Sequence, residues 1–182
     1  SSDLCAGAEA FLVMRDETAA SLGLPAARLL STIERHNAFA DDPMQVRGGW
    51  AMDISELYAM AGVKPDDLDV VQTYDDYPVI TMMQFEDLGF CNKGEGAAFV
   101  RQHDLTVDGD FPHNTSGGQL SAGQAGAAGA YLGLVEGLRQ VLGEAGPTQV
   151  KDARLALASG FGMINYDRGL ASGAAIFAGP AR

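Results

Sequence analysis

Residues 68–78 read Leu-Asp-Val-Val-Gln-Thr-Tyr-Asp-Asp-Tyr-Pro, and this stretch decides the fold predicted for the chain. Its apolar, β-branched first half predicts a strand over 68–74 that runs out into a polar loop over 75–77. Pro78 suits the first turn of a helix, and we predict that helix over 79–88. In open α/β sheets, ligands gather beyond the carboxyl ends of the strands. The tyrosine and aspartate side chains of this loop are therefore candidate functional residues.

Strands and helices alternate on both sides of this unit. Short apolar runs predict strands at 8–14, 27–33, 154–158 and 174–177, and the last two flank a glycine-rich hairpin region. Helices are predicted over 53–61, ending at Gly62, and over the Ala- and Gly-rich segment 120–142. The alternation, without an internal repeat, predicts one α/β domain over residues 1–182.

The charge balance excludes several classes of partner. Among 182 residues, 24 are acidic and 12 basic, and the net charge of −12 argues against binding to nucleic acid or to an anionic membrane surface. No apolar run reaches about 18 residues, so no membrane span is predicted. The two cysteines, Cys5 and Cys91, lack metal-ligand spacing and the density of a disulfide scaffold. We therefore expect a cytoplasmic protein.

Three segments, in this order, resemble the C-terminal half of thiolases. The first is 69–77, continued by Glu-Asp-Leu-Gly-Phe-Cys-Asn-Lys-Gly-Glu-Gly at 86–96. The second, 114–124, reads Asn-Thr-Ser-Gly-Gly-Gln-Leu-Ser-Ala-Gly-Gln and is similar to an Asn-x-x-Gly-Gly stretch that normally ends in Gly-His-Pro. The third, Ser-Gly-Phe-Gly at 159–162, lies where thiolases carry Cys-x-Gly. The chain thus resembles the sterol-carrier-type, lipid-transfer-like branch of the thiolase superfamily.

The resemblance implies a five-stranded mixed sheet with helices on both faces. It also implies an N-terminal half, in the same or a partner chain, which supplies the nucleophilic cysteine. A lone half would expose the surface between the halves, so we expect a homodimer or a hetero-oligomer. By resemblance, a small OB-fold and zinc-ribbon protein is a further expected partner.

The resemblance also assigns the candidate catalytic residues. Tyr74 takes the place of an Asn or His in the first loop, Gln124 that of the His in Gly-His-Pro, and Gly160 that of the acid/base Cys. Gln124 has no titratable proton near neutrality, so it is a hydrogen-bonding group and not a base. Tyr74 can serve as acid or base if its surroundings lower its pKa, whereas negative charges on its neighbours would raise it. Asn114 completes the candidate catalytic set. The expected substrate-binding residues are Asp75, Gly117, Gly118, Gly160 and Tyr166.

These substitutions leave three functions open. The first is a thiolase-like acyltransferase that makes or breaks the carbon–carbon bond next to a CoA thioester. The second is an aldolase that cleaves a β-hydroxyacyl-CoA in the retro-aldol direction. The third is a non-catalytic scaffold that binds acyl-CoA or lipid. In each case CoA thioester is the expected ligand, and no cofactor or metal is predicted on this chain.

Other residues have structural interpretations. Tyr77 matches a family phenylalanine and is expected to pack, and Cys91 is expected to be a buried thiol. We predict that His36, His103 and His113 lie in surface loops.

Overall fold

The computed structural model describes residues 4–126, 129–165 and 168–180. Within these ranges, six α-helices and four strands follow one another in the order α1 (Asp16–Leu22), β1 (Arg28–His36), α2 (Trp50–Ala61), β2 (Val70–Gln72), α3 (Pro78–Asp87), α4 (Gly96–Gln102), α5 (Gly118–Ala122), α6 (Gly129–Leu142), β3 (Leu155–Asn165) and β4 (Arg168–Ala178). The predicted strands at 27–33, 68–74, 154–158 and 174–177 and the helices at 53–61 and 79–88 are confirmed, with shifted ends. In the described part of the chain, no helix is long and apolar enough to cross a membrane.

The described strands form one mixed sheet in the order β1-β4-β3-β2. The predicted hairpin is confirmed, because β3 and β4 pair antiparallel, with Gly160 opposite Gly173. β4 also pairs antiparallel with β1, and β2 runs parallel to β3. The carboxyl end of β2 therefore lies beside the middle of β3.

The expectation of five strands is wrong for the residues described. The outer edge of β2 carries a single bridge, in which Val71 faces His113. Val71 donates to the Pro112 carbonyl at 3.0 Å and accepts from the Asn114 amide at 3.1 Å. The pairing stops there because Pro112 has no N–H and Asn114 turns into the left-handed region, with φ 45°.

The predicted strand at 8–14 is also wrong. This segment has no regular secondary structure and is exposed, with Leu12 83% and Val13 86% accessible, and it joins no strand of the described sheet. A short apolar segment forms a stable strand only when it pairs with neighbouring strands of a sheet. Within this segment, the ring of Phe11 contacts the ring of Tyr131 in α6, and their centroids lie 5.6 Å apart.

The predicted helix over 120–142 is divided into α5 and α6. The break follows from glycine, because Gly123 and Gly126 adopt φ 108° and 57°, which lie outside the helical region. Most of this segment is helical, as predicted, but it forms two helices because its glycines turn the chain between them.

The core lies on both faces of the sheet, as expected for helices on both faces. Val71 and Leu157 point into a cluster formed with α2 and α3, which includes Trp50 and Phe161. Val70 and Ala156 point to the opposite face, where Val141 of α6 covers them. Adjacent residues of β2 thus face opposite layers, which is the pattern of a strand buried on both sides.

Candidate functional site

The candidate site lies at the carboxyl end of β2, where the chain leaves the sheet after Gln72. The loop 73–77 is surrounded by the loop 114–117, the start of α5, the first turns of α3 and the middle of β3. Each of its first three residues is held by a different neighbouring element.

Asn114 holds Thr73. Its side-chain Oδ1 accepts from the Thr73 amide at 2.8 Å, and its Nδ2 donates to the Thr73 carbonyl at 3.1 Å. The side chain thus replaces a strand where the sheet has ended. Asn114 was predicted to be catalytic, and the structure directs its amide at the backbone of the residue before Tyr74.

Gln84 of α3 holds Tyr74. Its Oε1 accepts from the Tyr74 amide at 3.2 Å and its Nε2 donates to the Tyr74 carbonyl at 2.7 Å. The same Oε1 accepts from the Ser159 hydroxyl of β3 at 2.7 Å. Nothing in the sequence motifs pointed to Gln84, because its partners lie 10 and 75 residues away.

Asp75 is buried against the start of α5. Its Oδ1 accepts from the Gln119 amide at 2.7 Å. Gly118 has φ 60°, and a Cβ there would overlap the Asp75 carboxylate. The expected substrate-binding residues Asp75 and Gly118 are therefore brought together, in contact with each other. Gly117, with φ 98°, makes the turn that precedes them.

The side chain of Tyr74 meets Gln124, the residue predicted to act beside it. A side-chain hydrogen bond with Gln124 acts to lower the pKa of the Tyr74 phenol. Burial, the charge of Asp76 and a hydrogen bond to Asp76 outweigh it and raise the pKa of Tyr74 to about 12. The phenol donates to Asp76 Oδ2 at 3.1 Å. At neutral pH it is therefore protonated and is a donor, not a base.

Open space adjoins Gly160 on β3. Among the described residues, apart from the glycine itself and its two chain neighbours, no heavy atom lies within 4 Å of the position that a Cβ at Gly160 would occupy, and the same is true of Gly162. The neighbouring Ser159 reaches Tyr74 through Gln84. Tyr166, which was predicted to bind substrate, lies outside the described residues.

His113 was predicted to lie on the surface, and this prediction is wrong. Its ring packs edge-on against Phe85, with centroids 4.8 Å apart, and its Nε2 lies 2.8 Å from the Thr73 hydroxyl. Burial lowers its pKa to about 4, so the ring is neutral at pH 7. His113 also borders a mainly apolar groove of about 240 Å³ beside α3. The sequence feature that could have indicated a role for His113 is its position directly before Asn114.

The other histidines and Cys91 fit their predictions better. His36 is exposed beside Glu34, and the half-buried His103 contacts Asp110. Burial raises the pKa of the partly buried Cys91 thiol to about 11, so this cysteine is a poor nucleophile. Within the described ranges, no group of three or more His, Cys, Asp or Glu residues is arranged to hold a metal ion.

The motif continued at 86–96 builds a structural cluster. Lys93 pairs with Asp87 at 2.6 Å and with Glu86 at 3.2 Å. Asp87 also accepts from the Gly48 amide at 2.6 Å, and Glu86 accepts from the Gly96 amide at 2.9 Å. The cluster joins the start of α2, the end of α3 and the start of α4.

Comparison with known proteins gives relatives that include a CoA lyase, a sterol carrier protein and an aldolase. The chain is 41% identical over 88 residues, 48% of its length, to the 17-hydroxy-3-oxo-4-pregnene-20-carboxyl-CoA lyase of Mycobacterium tuberculosis. It is 35% identical over 108 residues, 59% of its length, to human sterol carrier protein 2. It is 32% identical over 144 residues, 75% of its length, to the steroid side-chain-cleaving aldolase of Thermomonospora curvata. The alignments span 22%, 20% and 36% of these relatives, respectively.

A solved structure shares the fold. A chain of the Ltp2-ChsH2(DUF35) aldolase superimposes with a TM-score of 0.69 and 24% identity, over 87% of this chain and 41% of that one. The family model described as thiolase C-terminal domain-like matches residues 33–171. This match includes the end of β1, the candidate site and most of the β3–β4 hairpin. The chain therefore belongs to the thiolase C-terminal domain-like family, within the thiolase superfamily that its three sequence segments resemble.

Proposed function

We propose that this chain is part of a thiolase-like acyl-CoA enzyme that makes or breaks the carbon–carbon bond next to a CoA thioester. The observation that carries the proposal is the contact between Tyr74 and Gln124 at the carboxyl end of β2. Two hydrogen-bonding side chains meet there. The names of the relatives, which include a CoA lyase, an aldolase and a thiolase subunit, support this class of substrate.

Retro-aldol cleavage of a β-hydroxyacyl-CoA is the direction that the site favours. When the carbon–carbon bond breaks, its electron pair passes to the α-carbon and forms the enolate of the thioester. A phenol that stays protonated at neutral pH can deliver its proton to that carbon, and Gln124 can donate to the thioester oxygen. The base that takes the β-hydroxyl proton is not assigned to these two residues.

Acyl transfer is the second candidate, because a thiolase subunit and an acetyl-CoA acetyltransferase are among the relatives. It needs a nucleophile to carry the acyl group and a base to form the enolate. Gly160 and Gln124 supply neither. We therefore place the nucleophile in the N-terminal half, whether that half is in the same chain or in a partner.

The proposed assembly includes this N-terminal half, in a homodimer or hetero-oligomer. The exposed apolar segment 8–14 supports this proposal. Its side chains Leu12 and Val13 are accessible in this chain, and an added half could cover them. A small OB-fold and zinc-ribbon partner is also proposed, in the cytoplasm. The structural neighbour carries two protein names, Ltp2 and ChsH2, and this pairing supports a second polypeptide of some kind.

Two substrate classes tested on the full-length, assembled protein distinguish the candidates. We expect cleavage of a β-hydroxyacyl-CoA to exceed thiolysis of a β-ketoacyl-CoA. We expect Tyr74→Phe to lower kcat by about 10²- to 10⁴-fold, the usual contribution of a positioned acid. Tyr77→Phe is the matched control, because Tyr77 lies in the same loop and is 51% exposed. If the protein binds CoA esters but turns over neither substrate class, only the third function remains, a non-catalytic scaffold that binds acyl-CoA or lipid.

A further inference from the structure

Gln84 is a fully buried amide whose hydrogen bonds converge on Tyr74. It lies in the middle of α3 with 0% of its surface exposed. Besides its two bonds to Tyr74 and one from Ser159, its Nε2 donates to the Ile80 carbonyl at 3.2 Å. Both amide hydrogens and both oxygen lone pairs are thus occupied. A buried amide with this complement of bonds is held in one orientation.

The backbone of Tyr74 depends on this side chain. β2 ends at Gln72, so the sheet offers no ladder bonds to residue 74. The Tyr74 amide and carbonyl both bond to Gln84, and Thr81 adds only a long contact of 3.4 Å to the carbonyl. Without Gln84, the partly buried Tyr74 amide would lose this partner and the carbonyl its shorter bond, and the loop would reorganise to recover them.

Ser159 extends this arrangement to β3. Its hydroxyl donates to the Gln84 oxygen that also receives the Tyr74 amide. Ser159 lies on the same face of β3 as Leu157 and Phe161, which is the face that α3 covers. The side chain of Gln84 therefore connects β3 with the residue that carries the phenol.

We propose that Gln84 is a positioning residue that sets the phenol of Tyr74 against Gln124, with Ser159 fixing the orientation of the Gln84 amide. The inference rests on the proposed function, because it needs Tyr74 to act in turnover. Gln84 touches no reacting atom in this account. Its effect on catalysis passes through Tyr74.

A double-mutant cycle in the full-length, assembled protein tests this dependence. Gln84→Met keeps the length of the side chain and removes its hydrogen bonds. In the wild-type background we expect kcat for β-hydroxyacyl-CoA cleavage to fall about tenfold to a hundredfold, the cost of a small misplacement, while KM changes much less. In the Tyr74→Phe background we expect less than about a twofold further loss, because residues that act together are not additive.

A matched control separates positioning from stability. Gln149 is a partly buried amide whose side chain bonds to Ala145, Gln140 and Val150, away from Tyr74. Gln149→Met is expected to reduce stability while leaving kcat within about twofold. If Gln84→Met does not fold, Ser159→Ala replaces it. This change removes the donor that fixes the orientation of the Gln84 amide, so we expect a smaller loss of kcat, about twofold to tenfold, that disappears in the Tyr74→Phe background.

The outcomes distinguish the two proposals. If Tyr74→Phe alone leaves kcat unchanged, the proposed function is wrong. If Tyr74→Phe lowers kcat but the loss from Gln84→Met or Ser159→Ala is absent, or is equally large in both backgrounds, Tyr74 keeps its role and Gln84 loses the one proposed here.

Discussion

At the scale of the residue, the site is defined by side chains that replace a missing strand. Asn114 bonds to both polar groups of the Thr73 backbone, and Gln84 does the same for Tyr74. The phenol of Tyr74, set on this backbone, meets Gln124. Its raised pKa follows from burial and from Asp76, and of the two roles left open by the sequence it favours the one we propose, a proton donor.

Gly118 and Gly160 should respond oppositely to the same substitution. Gly118→Ala forces an alanine to φ 60° and a methyl group onto Asp75, so we expect a loss of at least about 1–2 kcal/mol in the free energy of unfolding. Gly160→Ala places its methyl group in open space within a strand and should be neutral or stabilising by about 0.5–1 kcal/mol. Urea denaturation of both variants measures the difference, and equal losses would contradict the geometry.

His113 gives a pH dependence. Its pKa is lowered to about 4 in the folded protein, against about 6.5 in the unfolded chain, so the unfolded chain binds more protons between these values. The contribution of His113 to stability is therefore present above about pH 6.5 and is lost as the pH falls towards 4. His113→Gln should flatten this part of the stability–pH curve. Identical slopes for the variant and the wild type would show that the ring is not held neutral.

At the scale of the element, the loop that carries Asn114 is anchored on two elements through Thr115. The Thr115 hydroxyl donates to Glu136 of α6 at 2.6 Å and accepts from Gln72 of β2 at 3.1 Å and from Gln140 at 2.9 Å. All four residues are buried. The loop is thus joined to α6 and to β2 at one point.

Thr115→Val keeps the shape and removes the hydroxyl. We expect it to lower the free energy of unfolding by about 1–3 kcal/mol, because buried partners lose hydrogen bonds. Thr148→Val is the matched control, since the half-buried Thr148 hydroxyl donates a single bond to Ala145 at 3.1 Å. Thermal or urea unfolding checks the difference. If Thr115→Val lowers the free energy of unfolding no more than Thr148→Val does, the Thr115 hydroxyl does not anchor the loop.

The elements also show how far the sequence can predict the fold. Local signals suffice for α2, which ends at Gly62 with φ 70°, and for α3, which begins at Pro78. They fail for 8–14, where pairing depends on a distant edge, and for the fifth strand, which Pro112 and Asn114 reduce to one bridge. In the site, the resemblance predicted that Tyr74 and Gln124 act together. It could not predict Gln84 or His113, whose roles arise from contacts that only the folded chain makes.

At the scale of the whole molecule, the chain leaves a surface uncovered. The segment 8–14 is accessible, although it is mostly apolar. The relatives extend well beyond the part that this chain matches. An added half that covers this segment is what we propose for the assembly.

Hydrogen exchange tests that assembly. We expect backbone amides of 8–14 to exchange rapidly in the isolated chain and slowly in the full-length, assembled protein, because covering the segment excludes water. The amides of α2 serve as the internal reference, since α2 already packs on the sheet. Rapid exchange of 8–14 in both samples would show that the added surface lies elsewhere.

The central claim is that the Tyr74 phenol delivers a proton to the α-carbon. Cleavage of an α-methyl β-hydroxyacyl-CoA in D₂O tests it most directly, because the acyl-CoA product gains one deuteron at a carbon that thereby becomes chiral. We predict a single configuration for the wild type and for Tyr77→Phe, and slow turnover with mixed configuration for Tyr74→Phe. A Tyr74→Phe protein that keeps both the rate and the single configuration would contradict the account.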